Sequence, residues 1–197
     1  MRRLNVAGID LTGKEEKPSS TAILTSRKVI IERPKTNQEI THVIDKYKPR
    51  VISIDAPLTL PSKGLLRDLE RKALKKGLRL LPPLMRGMKE LTLRGVKIAK
   101  ILREKGYDVI ETHPSSARKV MNWPKKIDEI RSKIRELGIE ICSKKVSRDD
   151  IDAITAAIVG ALYLIGEYER ITGEGVLILP KGEIKRNIRE KLFKLFL

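Results

Sequence analysis

The sequence predicts an α/β protein with a mixed sheet, in which a three-strand antiparallel meander is joined to two parallel strands with flanking helices. Two patterns indicate this fold class. Short apolar runs with strand periodicity alternate with longer amphipathic stretches of helical periodicity. The first three runs are joined by short turns, whereas a helical stretch precedes the fourth, as parallel pairing requires. With 197 residues, 41% of them apolar, the chain is expected to form one domain over 1–197.

The first half of the chain contains four predicted strands. They are Leu4 to Asp10, Thr21 to Thr25, Lys28 to Glu32 and Val51 to Asp55. Thr36 begins a helical pattern that ends at Pro49, so the fourth strand follows a crossover. If that crossover returns beside the first strand, Asp10 and Asp55 become neighbours.

The second half alternates basic helices with apolar segments. Gly64 to Lys105 is helical and cationic with a break at Pro82-Pro83, which predicts a basic helical insertion at about 61–105. Tyr107 to Glu111 is the fifth predicted strand. An apolar helix begins at Asp149, and a short run, Val176 to Leu179, precedes a basic amphipathic tail.

Acidic residues recur where apolar elements begin or end. Asp10, Asp55 and Glu111 each close a predicted strand, and Asp149 and Asp152 share one face of a helix at i,i+3 spacing. Because a buried carboxylate is costly unless it is paired or bound to metal, this repetition predicts a shared metal site. For each acid alone a structural role is also open: helix capping by Asp149 or Asp150, turn formation at the strand ends, or an arginine partner for Glu111.

The available ligands favour a hard cation. One cysteine and two histidines cannot form a thiolate or histidine-rich zinc site, so oxygen ligands and therefore Mg²⁺ or Mn²⁺ are expected. Two such ions roughly 3.5 to 4 Å apart can activate water for attack on phosphate. The small residues Gly8 and Ser53 are expected to leave space above the sheet for ions or substrate.

The charge favours a polyanionic partner. The net charge is +17, and Lys63 to Lys105 contains 14 basic residues against four acidic ones. Predicted nucleic-acid contacts in this segment are Arg67, Arg71, Lys75, Lys76, Arg79 and Arg86. Aromatic residues make up only 4% of the chain, which favours a duplex or branched backbone over stacked single-stranded bases. A lysine-rich, heat-adapted surface is the alternative explanation.

A membrane or secreted location is not expected. The longest uncharged stretch, Ala153 to Gly166, has 14 residues and is too short to span a bilayer. The first apolar run is short and soon meets Asp10, unlike a secretory signal. We therefore expect a cytoplasmic protein with nucleic acid and no membrane as its partner.

Three smaller motifs allow a functional and a structural interpretation. Gly8 to Lys14 fits the phosphate-binding loop G-x-x-x-x-G-K, but Glu15 replaces the required Ser or Thr and a strand is predicted where that motif needs a helix. Cys142 lies in an apolar alternation and is expected to be buried and structural. His113 and Ser115, just after Glu111, are candidates for a phosphate contact or proton transfer, with a helix-entry role as the alternative for His113.

Four segments together resemble a known family. GIDLTG (8–13), SIDAPLTLP (53–61), VIETHPSS (109–116) and DDIDAITAAIVGAL (149–162) resemble an uncharacterised archaeal family of predicted nucleases with an RNase H-like fold. Within that superfamily the pattern is similar to RuvC-type Holliday-junction resolvases, whose last helix begins Asp-x-x-Asp-Ala. The resemblance covers nearly the whole chain.

The resemblance implies particular roles. Asp10 would bridge two ions, Asp55 would be the fourth-strand ligand, and Asp149 and Asp152 would be the helix ligands. Asp55 stands where the resolvases usually have Glu, and Glu111 has no counterpart there. The implied activity is two-metal phosphodiester hydrolysis of DNA or RNA, with a possible homodimer. Two alternatives stay open: a non-catalytic nucleic-acid-binding module, and an ATP-dependent phosphotransferase of the actin and sugar-kinase group.

Overall fold

A computed structural model describes residues 4–143 and 145–196 and contains an eight-stranded sheet flanked by helices. The strands are β1 (Asn5–Asp10), β2 (Ser20–Thr25), β3 (Lys28–Glu32), β4 (Val51–Asp55), β5 (Asp108–Thr112), β6 (Glu140–Ile141), β7 (Tyr168–Gly173) and β8 (Gly175–Pro180). The helices are α1 (Asn37–Tyr47), α2 (Asp68–Lys75), α3 (Lys89–Glu104), α4 (Pro114–Val120), α5 (Ile127–Glu136), α6 (Arg148–Leu164) and α7 (Arg186–Leu195). None of the helices described is long and apolar enough to cross a bilayer.

The sheet confirms the predicted fold class. Its strand order is β6-β3-β2-β1-β4-β5-β8-β7, with β1, β2 and β3 as an antiparallel meander and β4 and β5 parallel to β1. The β2–β3 turn has only two residues, Ser26 and Arg27, and both adopt positive φ, as a tight hairpin turn requires. Asp10 aligns with Asp55 in the β1–β4 register, so the two strand-end acids are neighbours as predicted.

Two regions differ from the sequence expectation. The run Val176 to Leu179 belongs to β8, and its antiparallel partner β7 was not predicted because most of its side chains are partly or fully exposed and form no apolar run. The stretch from Gly64 to Lys105 contains two helices separated by irregular chain. Of these, α3 buries Ile98, Ala99 and Leu102 and serves as the crossover between β4 and β5.

Helix α6 packs directly on the centre of the sheet. A Cβ atom at Gly8 would lie 2.1 Å from the Ala153 carbonyl oxygen, and one at Gly160 would lie 2.6 Å from Ser53 Oγ. The expectation of open space above Gly8 and Ser53 is therefore wrong, because the helix backbone occupies it. The opposite face of the sheet is covered by apolar residues of α1 and α3.

Candidate active site

The carboxylates of Asp10, Asp55 and Asp152 lie near one another where β1 and β4 end. Because side chains alternate along a strand, Asp10 lies on the same face as Gly8, and Asp55 lies on the same face as Ser53. That face is covered by α6, whose first turns carry Asp149 and Asp152. The close contact at Gly8 thus brings the acid-rich start of the helix to the edge of the sheet that carries the strand acids.

The carboxylates act on one another electrostatically. Burial raises the pKa of Asp10 to about 7, with further contributions from Asp152, Asp149 and Asp150. Burial raises the pKa of Asp55 well above its usual value, and Asp10 and Asp152 raise it further. For both acids the opposing cation is Arg118. The site therefore holds more negative charge than one guanidinium compensates.

Arg118 is the site residue that the sequence did not indicate. It is buried on α4, and its Nη1 lies 2.5 Å from Asp152 Oδ1 and donates a hydrogen bond to Thr155 Oγ1 at 3.1 Å. Among the residues described, Arg118 is thus the ion-pair partner of Asp152. Nothing in the sequence distinguishes this arginine from the other basic residues of the chain.

Ser147 is the N-cap of helix α6, and Asp150, rather than Asp149, completes the capping box. Its carboxylate accepts from Ser147 N at 2.8 Å, Ser20 Oγ at 2.7 Å and Arg33 Nη2 at 2.6 Å. Burial by itself would raise the pKa of Asp150, but these hydrogen bonds and Arg33 lower it overall. Asp149 is exposed and lies close enough to raise the pKa of Asp10. The capping alternative therefore applies to Asp150 and leaves Asp149 free for the site.

Glu111 lies on the other face of the sheet. It aligns with Ile54 and not with Asp55, and its carboxylate accepts from Arg67 Nη2 at 2.6 Å and from Leu58 N at 2.8 Å. Burial raises the pKa of Glu111, although the Arg67 hydrogen bond opposes this. The arginine-partner alternative thus describes Glu111, which flanks the three aspartates from below.

Arg67 does not belong to the basic surface. Its side chain is 1% exposed and forms a second buried ion pair with Glu70 at 2.5 Å. Its predicted nucleic-acid contact is therefore wrong, because the guanidinium is already satisfied in the interior. The other predicted contacts (Arg71, Lys75, Lys76, Arg79 and Arg86) are all exposed, although Lys76 pairs with Glu169 at 3.0 Å.

His113 caps helix α4 and borders the carboxylates. Its Nδ1 accepts from Ser116 N at 3.3 Å, so the proton of the neutral ring belongs on Nε2. Burial lowers the pKa of His113, which favours this neutral form, while Asp152 opposes the shift. His113 can therefore donate from Nε2, and its helix-entry role is also present. Ser115 is exposed on the same helix.

The structure also describes the Gly8 to Lys14 motif and Cys142. Thr12 and Ser19 hydrogen-bond across the loop after β1, and the chain continues into β2 where a phosphate-binding loop needs a helix. Cys142 is exposed, so the expectation of a buried cysteine is wrong. It follows a two-residue strand at the edge of the sheet, where an apolar alternation does not require burial on both faces.

A cavity of about 210 Å³ opens beside the carboxylates. Its polar lining consists of Asp10, Asp55, Arg67, Glu70, Glu111, Thr112 and His113, and its apolar lining is mostly leucine and methionine. An apolar wall beside buried acids lowers the local dielectric constant and strengthens electrostatic interactions there. The arrangement can hold a cation or a phosphate oxygen between the strand ends and α4.

The donor set fits a hard divalent cation. Asp10, Asp55 and Asp152 offer carboxylate oxygens, and positive charge would relieve the repulsion that Asp152 exerts on Asp10 and Asp55. Within residues 4–143 and 145–196, no three acidic, histidine or cysteine side chains stand close enough to form a finished metal cluster. Asp10, Asp55 and Asp152 are the residues that would hold such an ion, and it would supply the positive charge that this group of acids lacks.

Comparisons with known proteins identify the fold. No protein-family model and no curated protein sequence matches this chain. The similar solved structures include Thermus thermophilus RuvC and T. thermophilus RuvC in complex with a Holliday junction substrate. Each is 14% identical, with a TM-score of 0.52, over 83% of this chain and 96% of the RuvC chain. The chain therefore has the RNase H-like fold that RuvC also has.

Proposed function

We propose that this protein is a divalent-metal-dependent nuclease that hydrolyses phosphodiester bonds of DNA or RNA. The observation that carries the proposal is the convergence of Asp10, Asp55 and Asp152: burial raises the pKa of Asp10 and of Asp55, the charge of Asp152 raises both further, and Asp10 and Asp55 line a cavity. Likeness to RuvC supports the same reading by analogy of fold. We also propose that the chain is related to archaeal nucleases, that it forms a homodimer, and that residues 61–105 are approximately the bounds of a basic insertion.

The residues divide the work among them. Asp10, Asp55 and Asp152, with Asp149 at the rim, would hold Mg²⁺ or Mn²⁺. Two such ions, when bound, would supply an activated water and stabilise the leaving oxygen. Arg118 is placed to offset the charge of the incoming phosphate, and His113 Nε2 can donate a hydrogen bond to a phosphate oxygen. Arg71, Lys75, Lys76, Arg79 and Arg86 would contact the backbone outside the cavity.

The test is cleavage of a labelled panel in Mg²⁺ or Mn²⁺ by wild type and Asp10→Asn. The panel contains duplex DNA, single strands, RNA, an RNA–DNA hybrid and a four-way junction. Metal-dependent cutting that Asp10→Asn abolishes supports the nuclease, and the panel identifies its substrate. Asp128→Asn, an exposed acid on α5, is the matched control and should cut like wild type.

A second candidate is a non-catalytic nucleic-acid-binding module. It is favoured by the Arg118–Asp152 pair, because this pair occupies a carboxylate that a working metal centre would need. Salt-sensitive binding to the panel without cutting in either metal would select this candidate. Nucleotide-dependent stabilisation without binding to the panel would instead point to a phosphotransferase.

A further inference from the structure

A second groove opens on the other side of His113. Its volume is about 480 Å³, and its walls are the start of the loop after α2, helix α4, the turn after α4 and the start of α6. Four exposed cations surround it: Arg79, Lys119, Lys125 and Arg148. None of the described residues that line it is acidic.

The cations of this groove hold its walls together and keep their charge. Lys119 Nζ donates to the Gly77 carbonyl at 2.8 Å, and Arg148 Nη1 donates to the Lys125 carbonyl at 3.0 Å. A backbone carbonyl is neutral, so these contacts orient the side chains without cancelling their charge. The groove along α7 is different, since Glu136 and Glu190 lie among its basic residues.

The chain's single tryptophan lines the same groove. Trp123 is half-buried and packs against the core, which leaves part of its ring in the groove. Asn122 before it adopts φ of 55°, and Trp123 N donates to the Arg118 carbonyl at 2.9 Å. Core packing holds the ring, and the backbone hydrogen bond places Trp123 beside Arg118, whose guanidinium contacts Asp152.

Size and chemistry define the ligand. A volume of about 480 Å³ is in the range of small-ligand sites and can hold one nucleotide unit. A paired duplex presents phosphates but keeps its bases stacked inside, whereas an unpaired nucleotide can offer both a phosphate and an open base face. Cations beside a fixed aromatic ring match the second kind of ligand.

We propose that this groove binds an unpaired nucleotide of the substrate beside the cleavage site. Its base would stack on Trp123 and its phosphates would lie among Arg79, Lys119, Lys125 and Arg148. The inference rests on the proposed nuclease function, and it specifies a substrate with a single-stranded or splayed segment. The low aromatic content of the chain argued against stacking, but the one tryptophan lines the groove that also contains Arg118, the ion-pair partner of Asp152.

The single tryptophan also provides a direct probe. In EDTA at low salt, wild type is titrated with a single-stranded thymidine hexanucleotide and with a blunt duplex, while tryptophan emission is followed. We expect the single strand to change the emission and the duplex to change it far less. Anisotropy of a labelled hexanucleotide shows when the protein is saturated with single strand. A tryptophan emission that stays constant at saturation would overturn the proposal.

Variants separate stacking from folding. By anisotropy, Trp123→Leu should bind the single strand about tenfold more weakly, and Trp123→Phe should keep most of the affinity. Combined Lys119→Ala and Lys125→Ala should also weaken binding at least about tenfold. The control, Arg189→Ala with Lys194→Ala in the groove along α7, should bind like wild type. Circular dichroism checks folding, and equal affinities of Trp123→Leu, the lysine pair and wild type would refute the groove.

The two proposals can fail separately. If the panel is cut while single strands leave the emission unchanged, the groove proposal fails and the nuclease stands. If the emission responds as expected but neither metal supports cutting, the nuclease proposal fails and the groove remains a single-strand site.

Discussion

At the scale of single residues, Asp10 is destabilising in the absence of metal. Its pKa rises from 3.8 to about 7 on burial beside other carboxylates, so the folded state is penalised progressively as pH rises through that interval. Asp10→Asn removes the charge and should stabilise the metal-free protein at pH 8 by at least about 1 kcal/mol, or about 2–4 °C in Tm. Thermal unfolding in EDTA measures this.

The pH series provides the control for this prediction. Near pH 4 Asp10 is mostly protonated in the folded state, so the advantage of Asp10→Asn should largely disappear there. Added Mg²⁺ should raise the Tm of wild type more than that of the variant, because ligand binding stabilises only the protein that retains the site. A Tm of Asp10→Asn below that of wild type at pH 8 in EDTA would contradict this account.

Arg67 and Arg71 lie in one segment of the chain, but Arg67 is buried and Arg71 is exposed, so their substitution should affect stability differently. Arg67→Met leaves Glu70 and Glu111 buried without their cation, and breaking such a pair costs about 3–5 kcal/mol. Arg71→Met, on the exposed side, should change stability by less than about 0.5 kcal/mol. Urea unfolding measures both, and similar losses in the two variants would show that the Arg67 cluster is not a structural ion pair.

At the scale of elements, Gly8 determines how close α6 comes to β1. Gly8→Ala would place a methyl group 2.1 Å from the Ala153 carbonyl, and backbone atoms there cannot move without shifting the helix. We expect a loss of about 3 kcal/mol or more, at the upper end for overpacking. Gly182→Ala is the control, since no atom lies within 4 Å of its added Cβ.

The same helix shift would displace Asp152 from Asp10. A Gly8→Ala protein that remains folded at low temperature should therefore lose metal-dependent stabilisation beyond its loss of unfolding free energy. Calorimetry with and without Mn²⁺ would detect this, and unchanged metal response would mean that α6 does not need this contact to place its acids.

Glu174, between β7 and β8, ties this hairpin to the start of α2. Hydrogen bonds from Ser62 Oγ and from the Asp68 backbone lower its pKa from 4.5 to about 2. Because the folded pKa is depressed, this contribution to stability is complete above pH 4.5 and is lost as pH falls toward 2. Urea unfolding of wild type and Glu174→Gln should show a constant difference from pH 7 to 5 that shrinks below pH 4.5. A difference that grows in acid would contradict the assignment.

Elements and individual side chains were not equally predictable from the sequence. Apolar strands and α6 could be predicted because their periodicity reflects burial, and the Asp10–Asp55 register followed from a parallel crossover. Strand β7 could not be predicted, because it has no apolar run. The Glu111 partner of Arg67 could not be predicted either, because that contact joins residues distant in sequence. Arg118 was missed for the same reason, since only the packing of α4 on α6 brings it to Asp152.

At the scale of the whole molecule, the excess of positive charge is a surface property with a measurable consequence. The chain carries 42 basic and 25 acidic residues. Two of the basic residues, Arg67 and Arg94, are buried, and Arg94 donates hydrogen bonds to the carbonyl oxygens of Thr12 and Lys14. The exposed cations of the segment Lys63 to Lys105 include Arg71, Lys75 and Arg79. A heat-adapted surface would carry such charges without binding a polyanion. A binding measurement is therefore needed to distinguish heat adaptation from nucleic-acid binding.

Salt dependence distinguishes these explanations. If about six phosphates are neutralised, affinity for nucleic acid should fall by roughly 10³ between about 50 and 200 mM salt, because each contact releases condensed counterions. Replacing Arg79 or Lys125 by Ala should lower the slope of log K against log salt by about one each, and Arg189→Ala should leave it unchanged. A shallow slope that none of these variants alters would assign the charge to heat adaptation, whereas the predicted pattern would locate the phosphates along the side of the molecule where the carboxylates open.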